Sequence, residues 1–371
     1  MRLLVLGGTG VMGAPLVKLL SEDNRNSVYV VSRHQVKYEN NVHQITGNAF
    51  DVDFLKSVLT ERYDAIVDFL WYDENTLPKS LPHLLAATDQ YISLSSAAVY
   101  VDSSQTIDED TPRILDVVNK MEADKSREYH FIKARTEDIV KSCTSKNWTI
   151  VRPHVTFNKT RIPLCTWEKN VWLFRAVNGL PVAIPKDCLD KKTTFTCGFQ
   201  VASQIRNLIG KKEALGEIFQ LGSEDIYTWG EILQILNDIL SEKGFGMKIV
   251  NCSSEAIAKE IPFMKSRFHY DRLLNRTFST QKYRTITGDY SNYPKLKECV
   301  QDCLAGLSGG EKLGWQDAVV NAKHDRVIGF WMPLSLLDIF AKYAYLLIRA
   351  GFNTSLVVLP LRIIRKIKKY I

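Results

Sequence analysis

At 371 residues the chain has room for about two domains of ordinary size and a large core. Its apolar fraction of 45% and charged fraction of 24% are those of a globular protein, which excludes a low-complexity or disordered chain. The formal net charge of +7 is unevenly placed: from Asp338 onward seven basic residues stand against one acid, so the tail carries +6 and the body is too near neutral for a nucleic-acid binder.

In chain order, Arg2 to Leu6 is a short apolar run that breaks into Gly7-Gly8-Thr9-Gly10-Val11-Met12-Gly13, and Ala14 to Leu20 begins a helical pattern. The run opens a glycine turn at once, so it is not expected to be a signal peptide. Strand, glycine turn and helix are the context of a dinucleotide-binding turn. One glycine allows the tight turn, one lets backbone approach a pyrophosphate, and one lets the helix pack on the strand. The helix N-terminus then offers N–H groups to phosphate. Gly7, Thr9, Gly10, Val11, Met12 and Gly13 are therefore expected to hold a cofactor. Val28 to Val31 is a second strand ending at Ser32-Arg33, where an NAD-selective fold usually has an acid. None is present, and Ser32 and Arg33 suit a 2′-phosphate, so NADP is favoured over NAD. A third strand ends at Asn48 and Ala49, placed near the adenine, and a fourth, Ala65 to Phe69, ends with Phe69 at the same cofactor.

Tyr91 to Ser96 is the fifth strand, and its end carries Ser95-Ser96-Ala97-Ala98-Val99-Tyr100. In an open α/β sheet, ligands bind beyond the C-terminal strand ends. Tyr129 and Lys133 follow at i and i+4, on one face of a helix. A lysine ammonium near a phenol lowers its pKa from about 10, and such a tyrosine passes a proton to or from an alcohol oxygen near neutral pH.

Taken together, the glycine turn, Ser95 to Tyr100, Tyr129 with Lys133, and Arg152-Pro153 resemble the extended short-chain dehydrogenase/reductases, the NAD-dependent epimerase/dehydratase group. Further matches are Phe199-Gln200-Val201-Ala202 and Ile218 to Ser223 with Thr228 to Leu233. The resemblance covers residues 1 to 240, fades through about 330 and does not include the tail. It implies that Ser96 orients a substrate oxygen, that Tyr129 is the acid/base, and that Lys133 holds the nicotinamide ribose and tunes the tyrosine. Several positions depart from the pattern. Asn48 stands where an aspartate is common, and Gln200 replaces another. Phe157-Asn158 replaces Tyr-Gly. The sugar dehydratases of the group carry Asp-Glu where Ala97-Ala98 stand, so epimerisation or carbonyl reduction of a nucleotide-sugar or related carbohydrate is expected instead.

The expected fold class is α/β: a Rossmann-type doubly wound parallel sheet (1–155 plus 194–225), a smaller substrate lobe (156–193 plus 226–328) and a basic amphipathic helical tail (329–371). In the lobe, Asn158 and Arg161 are candidates for substrate binding. Arg175 is read as a second possible diphosphate ligand or else a surface charge, and residues 266–297 as a surface excursion. The seven cysteines are odd in number and form no C-x-x-C, which reads as reduced thiols without a zinc site or disulfide frame, and no metal site is expected. The apolar run Phe330 to Phe352 contains Asp338, Lys342 and Arg349, too many charges for a membrane span. With Leu361 to Ile371 it is expected to lie in an anionic membrane surface as an amphipathic appendage that can be deleted without unfolding the body. The competing expectations are packing on the protein itself or in a homodimer. A cytoplasmic protein, placed at the inner face of a membrane, is expected. The alternative function is a non-catalytic nucleotide-sensing or RNA-binding protein of the same fold.

Overall fold

The computed structural model describes residues 1–38, 41–103, 105–119, 126–309 and 312–367, with side chains to residue 362. The chain divides into two compact units. The first is Met1–Thr160, Lys192–Tyr227 and Asn275–Cys299; the second is Arg161–Lys191, Thr228–Leu274 and Val300–Ile371.

The first unit is built on seven parallel strands. These are β1 (Arg2–Leu6), β2 (Ser27–Ser32), β3 (Val42–Thr46), β4 (Tyr63–Asp68), β5 (Thr88–Leu94), β6 (Trp148–Pro153) and the strand Glu217–Leu221. Across the sheet the order is Glu217–Leu221, β6, β5, β4, β1, β2, β3, the doubly wound arrangement expected. The unbroken apolar runs of β1 (Leu3–Leu6) and of β4 (Ala65–Val67) explain why the centre of the sheet is buried on both faces, whereas the edge strand β3 carries His43, Gln44 and Thr46. Leu3 and Val5 of β1 join Val28, Val30, Val67 and Phe219 on one face, under helices Gly13–Ser21 and Gly198–Leu208. Leu4 and Leu6 join Ile66, Tyr91 and Ile150 on the other, under helices Val52–Val58, Leu77–Ala86 and Tyr129–Lys141. In register, Leu6 lies beside Asp68 and Leu94 beside Val151, so the glycine turn and the ends of β4, β5 and β6 share one edge.

Residues 275–299 belong to this unit, not to a loose excursion. Tyr283 is in the core, and Asp289 accepts hydrogen bonds from Asn207 Nδ2 (3.0 Å), Tyr283 (2.5 Å) and Tyr293 (2.7 Å). Those bonds fasten the segment to helix Gly198–Leu208.

In the second unit, Pro181–Pro185 and Lys248–Cys252 form a two-stranded parallel sheet. The tail is part of this unit's core. Helix Trp315–Ile328 ends at Gly329 (φ +69°), so no helix runs through Phe330 to Phe352. Asp338 caps a new helix, Ile339–Arg349, by accepting the Ala341 N–H. That helix buries Ala341, Ala344, Tyr345 and Ile348 against Ala318, Val319 and Ala322. The last helix, Thr354–Ile367, adds Val357, Val358 and Leu361, and Lys368, Lys369 and Ile371 lie outside the described residues. Tyr345 donates to Asp325 (2.5 Å), which also receives the Met332 N–H and the Arg175 guanidinium. Arg175 is thus neither a surface charge nor a diphosphate ligand: it is wholly buried, bonded to Asp325, Asn321 and the Pro181 carbonyl. Beside it His324 accepts the Ala183 N–H and is held neutral, pushed by burial down to about 4.

Candidate active site

The first turn is held in shape by its own glycines. Gly7 has φ +76°, a left-handed conformation that side chains disfavour. A Cβ on Gly8 would stand 2.7 Å from Val30 Cγ1, and one on Gly13 would stand 2.7 Å from the Gly7 carbonyl oxygen. The fold therefore requires those three. Gly10 differs: its φ is ordinary, and a Cβ would meet only the Gly7 oxygen at 3.6 Å. Thr9 and Gly10 are exposed, Val11 and Met12 half-buried. Met12 gives the helix no side-chain cap, so its leading N–H groups can face an anion. These features fit a dinucleotide pyrophosphate lying across Gly10.

The adenosine end is more mixed. The Ser32 hydroxyl is engaged within the protein, donating to the His34 carbonyl (2.7 Å) and accepting from Gln44 Nε2 (3.1 Å). Arg33 is exposed at the end of β2 and makes no ion pair among the described residues. Asn48 is exposed, with its Oδ1 accepting the Phe50 N–H (3.3 Å), and Ala49 is buried. Phe69 is half-buried against Gly7, and its N–H donates to the Leu6 carbonyl.

Ser96 opens a short turn, Ala97–Val99, and its oxygen accepts the Ala98 N–H (3.2 Å), leaving its own proton to donate outward. That turn packs on helix Tyr129–Lys141. Lys133 Nζ reaches the Leu94 carbonyl (2.8 Å), two residues before Ser96, so the lysine and serine are brought to one strand end. Tyr129 is the first residue of the helix, one turn earlier, with its side chain partly in solvent. Lys133 itself is buried. Burial pulls its pKa down to about 8, while the charges of Asp68 and Glu137 support the ammonium.

Two groups that sequence reasoning missed surround this lysine. Asp68, at the end of β4, is 2% exposed and accepts the Leu70 N–H (2.9 Å) and the Tyr91 hydroxyl (3.0 Å). Burial pushes its carboxyl up to about 6, although those donors and Lys133 favour the ion. An acid closing the apolar run Ala65-Ile66-Val67 was the available signal. Glu137, one turn beyond Lys133, is bound by Arg152 through Nε (2.8 Å) and Nη2 (2.7 Å) and by Arg113 (3.1 Å). Burial opposes its charge, but the bonds from Arg152 outweigh it and hold the carboxyl below its usual range. Arg152 also donates to the Tyr100 hydroxyl (2.7 Å), tying β6, the Ser96 turn and the helix together.

Asn158 and Arg161 fall in different units. Asn158 Nδ2 donates to the Val11 carbonyl (3.3 Å), and its Oδ1 accepts the Thr160 N–H (2.8 Å), so it braces the glycine turn. Gly198 faces the same carbonyl, where a Cβ would collide. Arg161 is paired with Glu168 (3.0 Å).

No protein-family model matches the chain. A curated relative, the chloroplast stem-loop binding protein of 41 kDa b of Arabidopsis thaliana, is 25% identical over 248 residues. That match takes in 62% of this chain and spans 60% of the relative's length. Solved structures are similar at lower identity. The dTDP-glucose 4,6-dehydratase of Bacillus anthracis, in complex with NAD, has a TM-score of 0.62 at 17% identity, covering 82% of this chain and 96% of that one. A human epimerase family protein with NADPH has a TM-score of 0.58 at 16% identity, covering 83% of this chain and all of the other. The chain shares its fold with these solved epimerase and dehydratase structures.

Proposed function

We propose that the protein is an NAD(P)-dependent epimerase or keto-reductase acting on a nucleotide-sugar or related carbohydrate. The observation that carries this is the division among the glycines: Gly7, Gly8 and Gly13 serve the fold, whereas Gly10 leaves open space at an uncapped helix start beside the Ser96–Lys133 strand end. A pyrophosphate is the ligand that such an opening fits. Support for the ligand class comes from the solved structures, which hold NAD or NADPH. Arg33, exposed and without an ion-pair partner among the described residues, favours NADP through its match to a 2′-phosphate.

A dinucleotide held by Gly10, the following helix start and Lys133 would supply hydride exchange with a sugar carbon. Tyr129 moves the proton of the hydroxyl on that carbon, and Ser96, whose oxygen is already an acceptor for Ala98 N–H, donates its own proton to orient the same oxygen. Lys133 holds a positive charge below pH of about 8, which favours the phenolate of Tyr129 one turn away. Asn158 holds the turn on which the cofactor rests, and Arg161 is left as the substrate-side candidate. Ala97 and Ala98 supply no carboxylate at the end of β5, which argues against dehydration. An anionic membrane surface is part of the proposal, as a carbohydrate enzyme with a +6 tail suits lipid-linked or surface polysaccharide assembly. No helix among the described residues is long and apolar enough to cross a membrane.

The name of the Arabidopsis relative supports a second reading, stem-loop RNA binding. Tyr129→Phe separates the two. An enzyme loses turnover on a panel of nucleotide-sugars and keto-sugars by orders of magnitude and keeps its cofactor; an RNA-binding protein is indifferent. Turnover unchanged in Tyr129→Phe overturns the assignment of the acid/base.

A further inference from the structure

The C-terminal helices bury one side and leave the other unusually apolar. On helix Ile339–Arg349 the buried stripe is Ala341, Ala344, Tyr345 and Ile348. Ile339, Tyr343 and Leu346, at i, i+4 and i+7, form a second stripe, and they are exposed, Ile339 by 75%. On helix Thr354–Ile367, Val357, Val358 and Leu361 are buried, while Leu356 (73%) and Leu359 (60%) are exposed. Phe352 is exposed in the link between them. Such a run of exposed apolar side chains within one short segment marks an interaction surface.

The charges beside it select the partner. Lys342 and Arg362 are exposed or half-buried and make no ion pair among the described residues. Arg349 lies over the Trp331 ring, 4.5 Å from its centre. The segment's single acid, Asp338, is held at the helix start as its cap. In sequence, Arg365, Lys366, Lys368 and Lys369 follow. A protein partner of mixed charge would meet no acid here to match its basic groups. An anionic bilayer presents what both features need: hydrocarbon for the leucines and aromatics, and phosphate or carboxylate for the cations.

We infer that the outward faces of helices Ile339–Arg349 and Thr354–Ile367 dock the folded protein onto an anionic membrane. This deepens the membrane part of the proposed function and does not depend on the catalytic part. It also replaces an in-plane detachable tail with a folded surface, because the inner faces of the same helices are core.

The test uses the full chain and sedimentation with vesicles of phosphatidylcholine alone or mixed with phosphatidylserine. The wild type is expected to sediment with the mixed vesicles and not with the neutral ones. Ile339→Glu combined with Leu356→Glu, both exposed, should keep the melting temperature and NADPH binding. It should lose vesicle binding by about tenfold or more, as apolar area leaves the bilayer and carboxylates face its charge. Lys342→Gln alone should lose about fivefold. The inference is overturned if the wild type ignores the mixed vesicles, or if the double variant binds as well as the wild type. It is equally overturned if the wild type is a dimer that the double variant splits and neither binds vesicles, for a second copy then covers this face. Failure of the cofactor reading would appear separately, as absent NADPH binding in the wild type.

Discussion

Asp68→Asn is the substitution whose effect follows most fully from the geometry. The carboxyl is 2% exposed, and burial raises its pKa from 3.8 to about 6. A raised pKa means that the native state binds the proton more tightly than the unfolded chain does. Asp68 therefore favours folding fully below about pH 3.8, and that contribution is lost as pH rises through about 6. Two pKa units correspond to about 3 kcal/mol, so at pH 7 the ionised carboxyl burdens the native state by that order. Asparagine matches the protonated carboxyl in shape and keeps an acceptor for the Leu70 N–H. The variant should melt close to the wild type at pH 4 and above it at pH 7, by roughly 6 to 12 °C if 1 kcal/mol is worth about 2–4 °C. Thermal unfolding of both proteins at a series of pH values reads the difference, since groups remote from Asp68 cancel; Lys133, which loses the support of the Asp68 charge, subtracts from the gain. A difference that stays flat with pH, or a variant less stable than the wild type at pH 7 alone, would refute the argument.

Further consequences concern the glycine turn, the Glu137 cluster, Lys133 and the tail. Gly10→Ala should fold with an unchanged melting temperature and lose NADPH affinity, whereas Gly13→Ala, whose Cβ meets the Gly7 oxygen and Gly8 Cα, should melt many degrees lower. Arg152→Met removes the two-point partner of buried Glu137 and should destabilise by about 3–5 kcal/mol in chemical denaturation; adding Glu137→Met should restore much of the loss. Because the Lys133 ammonium has its pKa depressed from 10.5 to about 8, a rate that needs that charge should fall as pH rises through about 8; Asp68→Asn should move the limb lower, and a limb near 10 would contradict the account. Truncation after Gly329 should aggregate or melt early, because it bares Leu180, Ala318 and Ala322 and leaves Asp325 without Tyr345.

The parts legible in the sequence were those set by local chemistry. Unbroken apolar runs marked the buried strands, and glycine between strand and helix marked the turn. Ser96, Tyr129 and Lys133 were picked out by the family resemblance, and their catalytic roles are proposals. What escaped depended on partners far along the chain. Asn158 braces Val11, 147 residues away, and nothing near either residue signals it. Arg175 looked like a surface cation because its partner Asp325 is 150 residues distant. In the tail, both faces of helix Ile339–Arg349 are apolar, so periodicity could not tell which one met the protein. The choice fell to the face with Ala341 and Ala344, since small side chains let two helices approach closely against Ala318 and Ala322.

The most direct test of the account is a titration of the purified protein with NADPH and NADH, followed by cofactor fluorescence, in the wild type, Gly10→Ala and Arg33→Ala. The account predicts that the wild type binds NADPH more tightly than NADH, that Arg33→Ala removes the preference, and that Gly10→Ala weakens both without loss of stability. A folded wild type that binds neither nucleotide, or a Gly10→Ala variant that binds as tightly as the wild type, would contradict the central claim that the first turn is a dinucleotide site.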